Sequence, residues 1–281
     1  SRTNKNCFYL AKKYKITKVY NNYIDMIEDR NIDALLVLVS GDQIYETLNN
    51  IISFKKPFFT EKPPGLNTSE TKKLCLKCKK YKTLNMVGFN RRFYSIFHKG
   101  KKIIEDNGGL LGLSIEGHER FWLINKKRNS RILNKWIYAN SSHTIDLLRF
   151  FGGEIHKINS TSFKYLSKQN NQFVSSIKFK SGAIGTYKSF WLSPGGWSVN
   201  LFGKDIKIDF KPLEKGIIIN KNFKSSVIKP DVTDIKFKPG LYKQMIYFKN
   251  LIINSTIEWP AQDICESLKT MQLIKKISNE L

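Results

Sequence analysis

No apolar run in the sequence approaches the roughly 18 residues that a membrane-spanning helix needs. The N-terminus also lacks the basic start and short apolar core of a secretory signal. These absences predict a soluble, cytoplasmic protein without a membrane partner. At 281 residues, 41% of them hydrophobic, the chain is long enough to bury a sizeable core and to form two domains.

Cysteine is scarce, with four residues in the chain. Cys75 and Cys78 have the spacing of half a zinc site, but no second pair of Cys or His stands at a suitable distance to complete it. Both cysteines lie in a helical pattern beside Leu74 and Leu76. We therefore expect packed thiols and no metal site.

Acidic residues are few, with 23 Asp and Glu against 48 Lys and Arg, a net charge of +25. Such an excess can serve nucleic acid or an anionic substrate. Nearly all of it is lysine, however, and the lysines are scattered over every part of the chain, whereas nucleic-acid readers favour arginine and aromatic residues on one face. A generally solvated surface without a nucleic-acid partner is the preferred interpretation.

A strand–helix–strand pattern organises the first third of the chain. Residues 34–39 form a short apolar run that ends in Ser40-Gly41-Asp42, which predicts a strand buried on both faces. A helical segment with an apolar side follows, and then a second strand at 57–60, closed by Glu61-Lys62-Pro63. This is a parallel crossover unit. Ligands in such sheets bind beyond the carboxyl ends of the strands, so these two turns are the first place to expect a site.

The glycine-rich phosphate turn that normally opens a nucleotide-binding domain of this kind is missing. The first glycine is Gly41, and the sequence begins at Ser1 without a methionine. About thirty residues of the usual unit are therefore expected to be absent, and the sequence to be a fragment.

The pattern of predicted helices and strands changes after residue 92, where we place the domain boundary. Before it we expect helices at 5–14, 22–30 and 69–82, a strand or connection at Val19-Tyr20, and a strand at 84–88. After it we expect an amphipathic helix ending at 107–109, a strand at 113–118, a loop at 125–135, a helix at 138–151, strands at 155–164, 171–180, 183–190, 197–202 and 206–210, and helices at 240–253 and 261–279. The alternating strands predict a mainly antiparallel sheet with one solvated face.

The helix entered near residue 138 carries the strongest candidates for acid–base chemistry. His143 and Asp146 are three residues apart and share a helix face. Imidazole titrates near neutrality and suits removal of a proton from an alcohol, while Asp146 could orient it or bind a hydroxyl. From the spacing alone, a polar residue at a helix end is the better account of His143.

Four motifs that occur in order along the chain favour a catalytic role for His143 over that of a polar residue at a helix end. They are Asp-Ala-Leu-Leu-Val-Leu-Val at 33–39, Glu61-Lys62-Pro63, Val-Gly-Phe-Asn-Arg-Arg-Phe at 87–93, and His-x-x-Asp-Leu-Leu-Arg-Phe-x-Gly-Gly at 143–153. Together they resemble the Gfo/Idh/MocA family of NAD(P)-dependent oxidoreductases, and the resemblance extends to Trp259-Pro260-Ala261. It implies an α/β fold: a Rossmann-type parallel-sheet domain, its first βα unit missing, over 1–92, and an α/β domain with a large, mainly antiparallel open sheet for substrate binding and oligomerisation over 93–281.

The resemblance also implies roles for particular residues. Lys62 and His143 would be catalytic, with Lys62 stabilising alkoxide charge and His143 exchanging the hydroxyl proton as hydride passes between the substrate and NAD or NADP. Contacts with the cofactor are expected for Val39, Ser40, Gly41, Glu61, Lys62 and Pro63. Contacts with the substrate are expected for Asn140, Asp146 and Arg91, with a surface or interdomain salt bridge as the equal alternative for Arg91. The substrate would be a sugar or sugar nucleotide and the protein a homo-oligomeric dimer or tetramer.

One departure leaves an alternative open. The family's Asp four residues before the histidine is Ala139 here, and the neighbouring Asn140 can supply a hydrogen bond but cannot act as a base. A catalytically inert member that binds a sugar or a partner is therefore the alternative to the enzyme.

Overall fold

The computed structural model describes residues 4–124 and 129–280. The first half of the chain forms a three-stranded parallel sheet in the order β1-β2-β3. Its strands and flanking helices are α1 (Asn4–Tyr14), α2 (Tyr23–Glu28), β1 (Leu35–Val37), α3 (Gly41–Ile51), β2 (Phe58–Thr60), α4 (Thr68–Tyr81) and β3 (Asn85–Val87). Ile44, Leu48 and Ile51 place the apolar side of α3 in the core of this sheet. The expected parallel crossover unit is thereby confirmed.

The second half is built around an eight-stranded sheet in the order β11-β10-β9-β8-β4-β7-β6-β5. Its elements are α5 (Ser95–Asp106), β4 (Gly112–Gly117), α6 (Ser130–Asn134), α7 (Ser142–Gly152), β5 (Ile155–Phe163), β6 (Gln172–Phe179), β7 (Ile184–Phe190), β8 (Trp197–Gly203), β9 (Ile206–Phe210), β10 (Gly216–Asn220), β11 (Ser225–Ile228), α8 (Val232–Lys236), α9 (Leu241–Asn254) and α10 (Ile264–Ser278). The β4–β7 pair is parallel and the other pairs are antiparallel. The expected large, mainly antiparallel sheet is confirmed.

One face of the large sheet carries the main core. Alternation along β6 buries Phe173, Ile177 and Phe179, and leaves every second residue exposed. The helices α5 and α7 cover the buried face, where Phe97 packs against Phe151 and other rings. Because α7 is buried along its whole length, the residues at its N-terminus are held rigidly between the two halves of the molecule.

The chain returns to its first domain at the end. The backbone N–H of Val87 in β3 donates to the carbonyl of Gln262 at 2.9 Å, and Ile264 of α10 belongs to the same core as α3 and α4. The division at residue 92 stays a prediction, with α10 in contact with elements on both sides of it.

Val19 and Tyr20 form a connection, the second of the two expected alternatives. Other local expectations are wrong. The expected loop at 125–135 contains the short helix α6, and its residues 125–128 lie outside the described part of the chain. The elements β10, β11 and α8 were not expected, because the apolar residues within 211–236 fall in one run at 217–219 and at scattered positions between lysines, without a helical or alternating period.

Packed thiols were expected at both Cys75 and Cys78, and this is wrong for Cys75. Cys75 in α4 forms a disulfide with Cys265 in α10, with a Cα–Cα distance of 4.9 Å. Cys78 is the buried thiol that was expected, and burial, followed by the charge of Asp263, raises its pKa to about 12. In the described ranges no helix has both the length and the apolarity to cross a bilayer.

Candidate functional site

Lys62 joins the end of the parallel sheet to the second half of the chain. It follows β2 at the carboxyl end of that strand, and its Nζ donates to the backbone carbonyl of Ala139 at 2.7 Å. Ala139 lies in a π-helical turn, Ile137–Ser141, that leads directly into α7. Such turns occur frequently at functional sites because they alter the direction of the side chains that follow.

His143 is the second residue of α7 and is only 7% exposed. Its Nδ1 is buried and has no hydrogen-bond partner among the described residues. Burial is the main reason that the pKa of His143 lies well below its ordinary value, and the positive charges of Lys62, Arg91 and Lys238 lower it further. The imidazole is therefore neutral at pH 7, with Lys62 within electrostatic reach.

Glu119 is a buried carboxyl that the motifs did not indicate. It follows β4, is 4% exposed, and accepts hydrogen bonds from Asn140 Nδ2 at 2.7 Å and Ser141 Oγ at 2.8 Å. Burial raises the pKa of Glu119, while these two bonds, Trp136 and the charge of Lys62 act in the opposite direction. Only a polar cluster at a strand end, Glu116 to Arg120, could have drawn attention to it.

Glu119 and Asn140 line a cavity of about 550 Å³ that also includes His118, Trp136 and Trp197. The rings of Trp197 and His143 have centroids 6.0 Å apart, so the cavity wall continues to the histidine. A slightly larger cleft of about 620 Å³ lies between α5 and α7, beside Trp259. Lys62 and His143 line neither cavity, but the first one is lined by Trp197, whose ring contacts His143, and by Asn140, which follows the Lys62 contact at Ala139. The cavity at Trp197 is therefore the one next to the candidate catalytic residues.

Arg91 stands beside the same cavity. Its guanidinium carbon lies 4.6 Å from the centroid of the Trp197 ring, a cation–π contact. The buried Nε has no hydrogen-bond partner among the described residues, and burial lowers the pKa of Arg91 against the opposing charges of Tyr94, Glu214 and Glu119. This position is compatible with the predicted contact to substrate.

Asp146 does not have its predicted role. The carboxylate is 1% exposed and accepts from Arg92 Nε at 2.6 Å and Nη2 at 3.0 Å, from Gln262 at 2.9 Å and from Thr270 at 2.8 Å. Burial acts to raise the pKa of Asp146, but the charge and hydrogen bonds of Arg92 hold it below its ordinary value. These partners satisfy the carboxylate, so it joins the two halves of the chain and is not available to His143 or to a substrate hydroxyl.

The residues predicted to hold the cofactor cluster at the carboxyl ends of β1 and β2. Ser40 is the N-cap position of α3, and Gly41 is the first residue of that helix. Glu61 donates its backbone N–H to the Val37 carbonyl at 3.1 Å, which brings the two strand ends together. Val39 and Pro63 flank these turns. A Cβ added at Gly41 would meet only Leu66, at 3.9 Å, so the backbone there is open to close approach by a ligand.

No group of three or more His, Cys, Asp or Glu side chains suited to a metal ion occurs within residues 4–124 and 129–280.

This architecture defines a class of protein, in which a Rossmann-type parallel domain is followed by an α/β domain with an open sheet. Residues 1–89 match the sequence profile of the Gfo/Idh/MocA oxidoreductase family, described as an NAD-binding Rossmann fold. The match assigns the parallel-sheet part of the chain to this family.

Known relatives agree with that assignment. The chain is 34% identical to myo-inositol 2-dehydrogenase of Thermotoga maritima over 97 residues, which are 34% of this chain and 29% of the relative. It is 26% identical to scyllo-inositol 2-dehydrogenase (NAD⁺) of Bacillus subtilis over 75% of this chain and 61% of the relative. Its matches therefore span less than two thirds of these relatives' lengths.

The fold is shared with solved structures over nearly the whole chain. An oxidoreductase of Desulfitobacterium hafniense, described as a putative NADPH-dependent enzyme, superposes with a TM-score of 0.84 at 15% identity, covering 99% of this chain and 86% of that one.

Proposed function

We propose that this protein is an NAD(P)-dependent oxidoreductase that transfers a hydride between the nicotinamide and a carbinol carbon of a sugar, polyol or sugar nucleotide. The observation that carries the proposal is the contact of Lys62, at the carboxyl end of a parallel strand, with the carbonyl of Ala139, four residues before the buried His143. The activities of the inositol dehydrogenases that match the chain support the substrate class.

The residues at the strand ends fit the nicotinamide end of such a cofactor. Val39, Ser40 and Gly41 offer backbone and small side chains, and Gly41 leaves room for close approach. Glu61, Lys62 and Pro63 form the facing turn after β2. The sequence contains no glycine-rich phosphate turn, so the fit extends to the nicotinamide end alone.

The bound dinucleotide would supply the hydride acceptor in oxidation and the donor in reduction. In oxidation, neutral His143 takes the hydroxyl proton, since its pKa keeps it unprotonated at pH 7. The ammonium of Lys62 stabilises the negative charge that develops on the substrate oxygen, in a site from which burial excludes most water. Asn140 and Arg91, at the cavity, orient the remaining hydroxyls or an anionic group.

A catalytically inert sugar-binding protein is the second candidate. The observation that favours it is Ala139, which contributes only its backbone carbonyl to Lys62 and no carboxylate to the site. We place it second, because Lys62 and His143 are both present and within electrostatic reach.

Dinucleotide binding and turnover decide between the two. We expect calorimetry to detect NAD⁺ or NADP⁺ binding, and absorbance at the reduced-nicotinamide band to show turnover with a panel of inositols, aldoses and sugar nucleotides. Substituting Lys62→Met should lower kcat about 10²- to 10³-fold with cofactor affinity little changed, and His143→Gln about 10²- to 10⁴-fold. The exposed Lys72→Met in α4 is the matched control and should behave as wild type.

Binding of a panel sugar without turnover, in a chain that also binds the dinucleotide, would favour the inert protein. No dinucleotide binding at all would contradict the proposed function. The predicted homo-oligomer and cytoplasmic location are retained as parts of this proposal and need measurements of mass in solution and of location.

A further inference from the structure

Glu119 is a buried carboxyl group on the wall of the cavity, with the charges of Lys62 and Arg91 within electrostatic reach. Asn140 and Ser141 each donate a hydrogen bond to one of its oxygens, and the side chain of Trp136 is a further partner. Burying a carboxyl group is costly, so a position of this kind needs a reason beyond the filling of space.

Both donors come from the π-helical turn that precedes His143. Lys62 binds the same turn from the other side, through the carbonyl of Ala139 at 2.7 Å. Three consecutive residues, 139 to 141, are therefore fixed by Lys62 and Glu119 together, directly before the histidine. Any change in Glu119 acts on this turn first.

The hydrogen bond to Glu119 also determines which way the Asn140 amide faces. Asn140 Nδ2 donates to one oxygen of Glu119 and Ser141 Oγ donates to the other, so both oxygens act as acceptors and the carboxyl group faces the NH₂ of Asn140 and not its Oδ1. The amide cannot turn over without placing two acceptors against each other. Its Oδ1 is left as the atom that can accept a hydrogen bond from a hydroxyl group in the cavity that Asn140 lines.

We propose that Glu119 is a positioning residue of the active site: it holds Asn140 so that Oδ1 accepts a hydrogen bond from a second hydroxyl of the substrate, next to the one that is oxidised. The inference rests on the proposed function and extends it to substrates with neighbouring hydroxyl groups. Glu119 acts through Asn140 and takes no part in proton or hydride transfer.

A double-mutant cycle with Glu119→Gln and Asn140→Ala tests the inference, with NAD⁺ or NADP⁺ and myo-inositol as the probe. A glutamine at 119 can present its own NH₂ to Asn140 and lets the amide turn over. We expect each single variant to lower kcat/KM about 10-fold or more, mainly through a higher KM, and the double variant to be no worse than the poorer single variant. Multiplied losses, or wild-type kinetics in Glu119→Gln, would overturn the proposal.

The matched control is Asp209→Asn. Asp209 accepts from the side-chain amide of Asn200 at 2.5 Å and from Lys207 Nζ at 2.8 Å, so it also holds an asparagine amide, but on β8 and β9 and outside the cavity. We expect wild-type kinetics in this variant. A loss of kcat/KM equal to that in Glu119→Gln would show a general structural effect and contradict the assigned role.

A second readout does not depend on turnover. In spectra of protein labelled with ¹⁵N at asparagine, the side-chain amide of Asn140, assigned by its absence in Asn140→Ala, should shift and exchange faster with solvent in Glu119→Gln. An unchanged amide signal would overturn the inference. Failure of the proposed function has a different signature, since the wild-type chain itself would then bind neither dinucleotide.

Discussion

At the scale of single residues, the sequence indicated those whose role depends on a motif and missed those whose role depends on the fold. Lys62 and His143 stood in recognisable contexts, and both lie at the candidate site. Glu119 meets Asn140 and Ser141 across more than twenty residues, and no local pattern encodes that contact. Asp146 was placed on the face of His143 correctly by helix geometry, but its partner is Arg92, 54 residues away.

The Arg92–Asp146 pair gives the first prediction on stability. Both side chains are nearly fully buried, so Arg92→Met leaves the carboxylate of Asp146 without its charged partner. Removing one member of a buried pair typically costs about 3–5 kcal/mol. We expect a loss of this size in the free energy of unfolding, measured by urea denaturation followed by circular dichroism.

The control for that measurement is an exposed ion pair. Lys99 and Asp231 lie 2.7 Å apart with side chains 44% and 39% exposed. Exposed pairs contribute about 0–1 kcal/mol, so Lys99→Met should change stability little. Equal losses in the two variants would show that burial does not govern the contribution of these pairs.

At the scale of elements, apolar periodicity predicted the helices and strands in which apolar residues alternate or recur at helical spacing, and it missed those in which they do not. The strands β5 to β9 and the helices α9 and α10 were expected close to their observed bounds. By contrast, β10 and β11 are short strands at one end of the large sheet, among lysines, and they form because β9 offers a partner. Pairing of this kind is a tertiary effect that a single segment does not encode.

The turn before α9 gives a prediction about a glycine. Gly240 has φ of 77°, and a Cβ there would lie 2.0 Å from the backbone oxygen of Asn90. Gly240→Ala therefore combines left-handed strain with a clash against backbone, and we expect a loss of more than about 2 kcal/mol in unfolding free energy. Arg91 follows Asn90 and stands beside the candidate cavity, so a shift of the backbone at Asn90 should raise the KM for the substrate as well.

Gly108→Ala separates the two causes. Gly108 has φ of 90°, but a Cβ there meets nothing within 4 Å. We expect only the conformational cost, about 1 kcal/mol. A Gly240→Ala variant no less stable than Gly108→Ala would contradict the close approach at Asn90.

The disulfide between α4 and α10 gives a prediction on cysteine chemistry. Two of the four cysteines are bonded, so protein unfolded without reductant should show two reactive thiols, and four after reduction. Cys265→Ser should lower the free energy of unfolding by about 2–4 kcal/mol under oxidising conditions, because the bond closes a loop of about 190 residues. Cys7→Ser, outside the bond, is the control. Four reactive thiols before reduction would disprove the pairing.

At the scale of the whole molecule, the two halves are joined by buried polar contacts that no sequence pattern predicts. Asp146 brings together Arg92, Gln262 and Thr270, and Cys75 is bonded to Cys265. Cysteines so far apart in the sequence give no local signal of a disulfide, which is why free thiols were expected. The disulfide is also a feature that reducing compartments disfavour, which gives the predicted cytoplasmic location a direct test.

The pH dependence of stability belongs to this scale, because it sums over the histidines that the fold buries. Burial lowers the pKa of His143, His98 and His118 in the folded state. Below about pH 6.5 the unfolded chain binds protons that the folded chain does not, so the folded state is fully favoured above that pH and loses stability as the pH falls. Carboxylates with lowered pKa values add their own loss only nearer pH 4. Glu119, whose pKa burial raises, acts in the opposite direction on acidification, so the contribution of one histidine is read from the difference between its variant and the wild-type chain.

We expect urea denaturation to give a lower free energy of unfolding at pH 5.5 than at pH 7.5 in the wild-type chain. His143→Gln should make that difference smaller, since the most strongly shifted of these imidazoles no longer has to stay neutral in the folded state. The exposed His156→Gln on β5 is the control and should keep the wild-type difference. If His143→Gln kept the wild-type difference between the two pH values, His143 would not be the buried, neutral group that proton transfer from a substrate hydroxyl requires. The loss of stability on acidification would then have to come from His98 and His118 alone.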